Sequence, residues 1–187
     1  MSRLFLGLDL PDEVDFDLSL MVGGIRGARW QDPEQLHLTL HFLGELGGGE
    51  ARGLIAALGE LEAPPFELQL GGAGVFPPRG QPRVAWIGVT RGLEPLELLH
   101  QRCARIIDAC GIEREHRKWA PHVTVARMGH EASSHETHQW VRNHALYTSA
   151  SFRVEHVRLY SSIRSRQGPK YRTEAVFALS SAGLGFT

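Results

Sequence analysis

The feature that most constrains this chain is that it runs through one order of elements twice. From Arg3 to Leu10 the residues have strand character, and Pro11, Asp12 and Glu13 then make a helix first turn, with proline and negative charge at the positive end of the dipole. That helix is expected to reach about Val22. Ala28-Arg29-Trp30 follows, then a strand over Leu36 to Leu43 ending at Gly44, a loop at Gly47 to Gly49, and a helix carried by Ala51, Leu54, Ile55 and Leu58. Pro64 and Pro65 stop it, and Phe66 to Leu70 returns to strand. The order restarts with a strand over Val84 to Val89 and a helix with apolar Leu93, Leu96, Leu99, Cys103, Ile106 and Ile107, stopped by Gly111. Arg117-Lys118-Trp119, a strand over His122 to Arg127, and a helix over Ser134 to His144 come next, the helix opened by Ser133 and Glu136 as a capping box. The period of roughly 80 to 85 residues is too long for a solenoid, so it predicts two halves facing each other across a cleft. Strands over Ser151 to Tyr160 and Tyr171 to Leu179, with a turn at Gly168-Pro169, complete the sheets. The expectation is an α+β fold of mainly antiparallel strands with helices outside. It forms one bilobal domain over residues 1–187, with pseudo-twofold quasi-repeats at about 3–72 and 83–155 and closing strands at about 156–180.

The chain has 187 residues and a net charge of −1, enough length for a buried core but not the basic surface of a protein that coats long nucleic acid. Any nucleic-acid partner must be gripped locally. Leu4-Phe5-Leu6-Gly7-Leu8 is interrupted by Asp9 and Pro11, too short and too polar for a signal peptide or a membrane span. Cys103 and Cys110 share one face of a helical pattern, too far apart to bridge, and are read as core filling in a reducing, cytoplasmic compartment.

Chemistry concentrates in His37-Leu38-Thr39-Leu40 and His122-Val123-Thr124-Val125, which share the pattern His-apolar-Thr-apolar at the same place in each half. In a strand alternate side chains share a face, so each His points with its Thr, about 6 to 7 Å further along, while the apolar residues enter the core. Two such strands about a pseudo-twofold axis put two imidazoles and two hydroxyls into one cleft. A phosphodiester needs one imidazole to take a proton from the attacking oxygen and another to give one to the leaving oxygen, and a pKa near 6.5 suits both roles. The hydroxyls, with Arg127 at the end of the second strand, match the charge on the nonbridging oxygens. No metal or other cofactor is required.

The motifs carry a resemblance. His37-x-Thr39, followed by Leu40-His41-Phe42-Leu43-Gly44-Glu45, and Pro121-His122-x-Thr124, followed by Ala126-Arg127, resemble the two-histidine phosphoesterase superfamily. Arg3-Leu4-Phe5, Phe76-Pro77-Pro78 before Val84-Ala85-Trp86-Ile87-Gly88, and Leu159-Tyr160-Ser161 with Gly168-Pro169-x-Tyr171 are similar to the RNA 2′,3′-cyclic phosphodiesterases, formerly called 2′-5′ RNA ligases. The resemblance implies a bilobal fold, opening of a terminal 2′,3′-cyclic phosphate to a 2′-phosphate, and a weak reverse joining of tRNA halves. It implies His37 as general acid toward the 3′ oxygen and His122 as general base for water, Thr39, Thr124 and Arg127 holding the phosphate, and Phe42 stacking on the terminal base. The partner it implies is an RNA end with a 2′,3′-cyclic phosphate; the chain itself is expected to be a monomer with no membrane association. Strict alternation puts Phe42 on the face opposite His37. It puts His41, where the family often has lysine, on the same face as His37 and Thr39.

Other features read as structural. His130, His135, His138 and His144 match no metal-ligand spacing. Gly71-Gly72-Ala73-Gly74 lacks the lysine and the helix of a phosphate loop and is expected to be a turn. Trp30 and Trp119 are expected to be core anchors. Arg164, Arg166, Lys170 and Arg172 form the densest basic stretch and would add affinity for an RNA backbone without chemistry.

Overall fold

A computed structural model describes residues 3–165 and 168–180. The elements run β1 (Arg3–Asp9), α1 (Asp12–Ser19), β2 (Ala28–Trp30), β3 (His37–Glu45), α2 (Gly48–Gly59), β4 (Phe66–Phe76) and β5 (Val84–Arg91), then α3 (Leu93–Ala109), β6 (Val123–Met128), α4 (Ser134–His144), β7 (Phe152–Val154), β8 (His156–Ser165) and β9 (Gly168–Ala178). This is an α+β fold, and every strand pair in it is antiparallel.

The strands lie in the order β7-β4-β5-β6-β3-β1-β8-β9, with β2 also on β6. β3 and β6 meet through one registered pair, Leu38 with Val123, so a thin seam divides the sheet into a β3-β1-β8-β9 half and a β6-β5-β4-β7 half. A pseudo-twofold axis through the seam exchanges β3 with β6 and β1 with β5. It also exchanges β8 with β4: β4, which follows α2, crosses over to pair with β5, and β8, which follows α4 and β7, crosses back to pair with β1. The helices cover one face. Leu54 and Leu58 of α2 and Leu96, Leu99, Cys103 and Ile107 of α3 join Leu38, Leu40, Leu68, Leu70, Ile87, Val123 and Val125 in one buried cluster. Burying each large aliphatic side chain stabilises by about 1.5 to 3 kcal/mol, which commits the other face of β3 and β6 to the cleft.

Several local expectations need correction. Gly71 to Gly74 is no turn but part of β4, with Gly72 at φ 69° marking an irregularity in the β4–β5 register. A Cβ on Gly74 would lie 2.2 Å from the Trp86 ring, so the bare backbone makes room for an indole lying across the strand. Gly48 and Gly49 belong to the first turn of α2, where the Glu50 carboxylate accepts from Gly47 N–H at 2.7 Å. Gly168-Pro169 already belongs to β9, Gly168 pairing with Ser165. The capping box on α4 is half formed. Ser133 Oγ accepts from Glu136 N–H at 3.2 Å, but the Glu136 carboxylate goes to Arg26, accepting from its N–H at 2.7 Å and its Nε at 2.9 Å. Cys103 is buried, whereas Cys110 sits just past the end of α3 and is exposed. Trp30 and Trp119 both pack against the core. No helix among the described residues is long and apolar enough to cross a membrane.

Candidate active site

Leu38 pairs with Val123 across antiparallel strands, so His37 falls opposite Thr124 and Thr39 opposite His122, all four on the face away from the helices. The burial sequence from each histidine onward is the same. Residues 37 to 43 and 122 to 128 both run half-buried, buried, half-buried, buried, buried, exposed, buried. The doubled buried step has one cause in both halves. The β1–β3 register skips Leu40 (Leu6 with His41, Gly7 with Thr39), and the β5–β6 register skips Val125 (Ala85 with Ala126, Trp86 with Thr124). A bulge three residues after each histidine reverses the alternation.

That bulge corrects both expectations drawn from strict alternation. Phe42 is turned onto the His37 face, 54% exposed, with its ring 6.2 Å from Phe5, whose own ring lies 4.8 Å from His37. Arg127 arrives on the same face by the equivalent bulge. His41 is turned away from the cleft, 5% exposed, its ring 4.0 Å from His100, which in turn lies 4.0 Å from Trp119. Its Nε2–H donates to the His100 carbonyl at 2.8 Å. Beneath the cleft Trp119 Nε1–H donates to the Thr39 carbonyl at 3.1 Å, so the stack supports the motif strand from behind.

The two catalytic candidates are held alike. His37 Nδ1 lies 2.7 Å from the Gln35 carbonyl and His122 Nδ1 lies 2.7 Å from the Ala120 carbonyl. A carbonyl only accepts, so Nδ1 carries the proton in each ring, and Nε2 of the neutral ring keeps its lone pair. Thr39 Oγ1 lies 3.0 Å from His37 Nε2 and, with that tautomer, donates to it. Burial pushes the His37 pKa down to about 4, opposed by the Gln35 carbonyl and reinforced by the charges of Arg127 and His122. Burial also lowers that of His122, opposed by the Ala120 carbonyl and reinforced by Arg127. Both rings are therefore neutral near pH 7, and a bound anion that offsets the Arg127 charge raises their proton affinity. Among the described residues no carboxylate pairs with Arg127.

Alternation alone did not reveal the aromatic walls. Phe5, Tyr160 and Tyr171 surround His37, with Tyr171 edge-on at 5.1 Å, and Gln35 Nε2–H donates to the Pro169 carbonyl to tie β9 against this side. Phe76 stands edge-on to His122 at 4.9 Å, with Trp86 at 6.3 Å. These residues come from β1, β8, β9, β4 and β5, so only the pairing order brings them here. All five lie within segments that carried the family resemblance, which was the signal available.

His130, His135, His138 and His144 do not converge. His138 and His144 engage their own helix, with Nδ1 2.7 Å from the Ser134 carbonyl and 2.8 Å from the Trp140 carbonyl. No group of three His, Cys, Asp or Glu able to hold a metal ion forms among the described residues. Arg164, Lys170 and Arg172 lie on the β8–β9 hairpin, Arg172 with Glu174 at 3.9 Å; Arg166 lies outside the described residues.

Residues 22–166 match the family described as the 2′-5′ RNA ligase superfamily. The chain belongs to the 2′-5′ RNA ligase superfamily. Its similarity to the RNA 2′,3′-cyclic phosphodiesterase of Archaeoglobus fulgidus is 31% identity over 94% of this chain and 99% of that one. The protein of the same name from Aquifex aeolicus is 31% identical over 91% and 90%. Among solved structures, TT0787 of Thermus thermophilus superposes with a TM-score of 0.77 at 29% identity, over 97% of this chain and 100% of that one. E. coli LigT complexed with 3′-AMP superposes with a TM-score of 0.77 at 26% identity, over 96% and 98%. Membership of the superfamily thus rests on nearly the full length, and the bilobal two-histidine fold is shared.

Proposed function

We propose that the protein hydrolyses the terminal 2′,3′-cyclic phosphate of RNA to a 2′-phosphate without metal or other cofactor, His37 acting as general acid and His122 as general base. The observation that carries the reading is the quartet on one face: two imidazoles, each with Nδ1–H tied to a carbonyl so that Nε2 keeps a lone pair, opposite two hydroxyls beside an unpaired guanidinium. The names of the relatives, and 3′-AMP on E. coli LigT, support the substrate class.

In this reading water attacks phosphorus while His122 Nε2 takes its proton. The bond from phosphorus to the 3′ oxygen breaks, and protonated His37 Nε2–H supplies the proton that makes the 3′-hydroxyl. Once His37 is protonated, the Thr39 hydroxyl no longer donates to it and turns with Thr124 and Arg127 to the nonbridging oxygens. Phe42 stacks on the terminal base. Because burial weakens the proton affinity of His37, the active form, with the proton on that ring, is favoured once the phosphate anion is bound. With a 5′-hydroxyl in place of water, the same path joins ends 2′-5′, weakly, as on tRNA halves. The enzyme acts in the cytoplasm as a monomer.

The test is a short RNA ending in 2′,3′-cyclic phosphate, incubated with the protein in excess EDTA, with the product phosphate located by position. Opening to a 2′-phosphate, slowed a hundredfold or more by either His37→Ala or His122→Ala, is expected; this range corresponds to roughly 3 to 5 kcal/mol of barrier. No opening, or opening indifferent to both substitutions, would sink the reading. Tight binding without turnover would instead mark a module that only holds RNA ends.

A further inference from the structure

Arg29 pairs directly with Arg127 across the β2–β6 ladder, so the two side chains leave the same face of the sheet. Their neighbours confirm which face this is: Trp30 packs on the core and its partner Ala126 is fully buried. Arg29 and Arg127 are both exposed, and among the described residues neither pairs with a carboxylate. Like charges directly opposite on neighbouring strands, with Cβ atoms about 5 Å apart, repel each other. Such a pair is accounted for by an anion that takes both charges, or two anions that take one each.

The place of the pair along the cleft decides between these. The arginine pair lies three residues beyond Thr124, roughly 7 to 10 Å along the bulged strand from the quartet. Because β3 and β6 are antiparallel, Phe42 and Arg127 leave the quartet in opposite directions. A nucleotide whose cyclic phosphate sits on the quartet and whose base lies toward Phe42 directs its 5′ oxygen toward Arg127 and, one strand over, Arg29. The cyclic phosphate carries one negative charge, which Arg127 meets; Arg29 supplies one further positive charge where the chain leaves.

We propose that Arg29 binds the phosphodiester immediately 5′ to the terminal nucleotide, so that the site selects the end of a polynucleotide over a free cyclic mononucleotide. This rests on the phosphodiesterase reading above, and a choice of two substrates keeps the two separate. Turnover is measured on adenosine 2′,3′-cyclic phosphate and on the dinucleotide ApA ending in 2′,3′-cyclic phosphate, which adds a single phosphodiester. For the wild type, kcat/KM on the dinucleotide is expected to be at least tenfold higher. Arg29→Gln should abolish most of that preference while leaving the mononucleotide within twofold, and should lower the salt slope of log kcat/KM on the dinucleotide by about one charge. Arg29→Lys should restore part of the preference, and Arg127→Gln should fall on both substrates. Equal losses on both from Arg29→Gln would put Arg29 on the reacting phosphate and overturn the proposal; no loss on either would make it a solvated charge and overturn it equally. A wild type that opens neither substrate overturns the phosphodiesterase reading and this one with it.

Discussion

At the scale of single residues, the proton inventory of His37 and His122 governs what a pH experiment will read. The two rings are of one kind and similarly tethered, yet burial lowers both pKa values, that of His37 to about 4. The form that reacts carries one proton between them, so kcat/KM, which reports the free enzyme, is expected to be bell-shaped with its maximum on the acid side of pH 6.5. It declines above that as the pair loses its one proton, and at low pH as both rings become protonated, His37 taking its proton only toward about pH 4. A maximum above pH 7.5 would mean that the rings are less desolvated than this geometry implies. The same burial has a stability consequence. A histidine whose folded pKa lies below its unfolded value of 6.5 is stabilising while neutral, and that contribution is lost as pH falls from 6.5 to about 4. For His37 the upper bound is about 3 kcal/mol. Asp15, raised by burial to about 7, acts with the opposite sign over much of that window, so the wild-type curve alone does not isolate the histidine. The difference in urea-unfolding free energy between wild type and His37→Gln should narrow or reverse between pH 6.5 and 4; a constant difference would contradict the burial.

At the scale of elements, the site depends on irregularities in strands rather than on the strands alone. Trp86 flanks His122 because Gly74, directly across in β4, has no side chain, and Gly88 leaves 3.3 Å between an added Cβ and the same ring. Gly74→Ala forces the indole off the sheet and is expected to destabilise by about 1 to 3 kcal/mol in urea unfolding, as overpacking does. In a Trp86→Ala background the same substitution should cost much less, and additive losses would show that the two do not meet. This also explains what was legible in the sequence. The twofold order of elements, the paired His-x-Thr strands and the apolar residues between them could be read from periodicity, because burial on one face enforces it. The bulges at Leu40 and Val125 could not. A one-residue slip leaves no mark in composition, yet it decides that Phe42 and Arg127 enter the cleft and that His41 leaves it. The glycines of β4 read as a turn for the same reason: glycine permits a turn, but here it permits a neighbour's ring.

At the scale of the whole molecule, the question is whether two halves that meet at one registered residue pair behave as two units. The seam alone argues that they do, since Leu38 with Val123 is a slight connection between four-stranded sheets. The topology argues otherwise. β4 leaves α2 on the first repeat to pair with β5 of the second, and β8 returns from the second to pair with β1 of the first, so neither half can be completed without chain from the other. Leu6, Leu8 and Leu159 from one side and Leu70, Ile87 and Val125 from the other also belong to a single buried cluster with α2 and α3. Exposing one half therefore strips apolar surface from both. The protein is expected to unfold in urea in one step, with tryptophan fluorescence and far-ultraviolet circular dichroism giving one midpoint. Amide exchange should then give Leu6 and Leu8 on β1 the same opening free energy as Ile87 on β5 under conditions where global unfolding dominates. Separate midpoints, or β1 amides that exchange through an opening that leaves β5 protected, would show that the crossing strands do not couple the halves. The cleft would then depend on the seam alone to hold the two histidines in register.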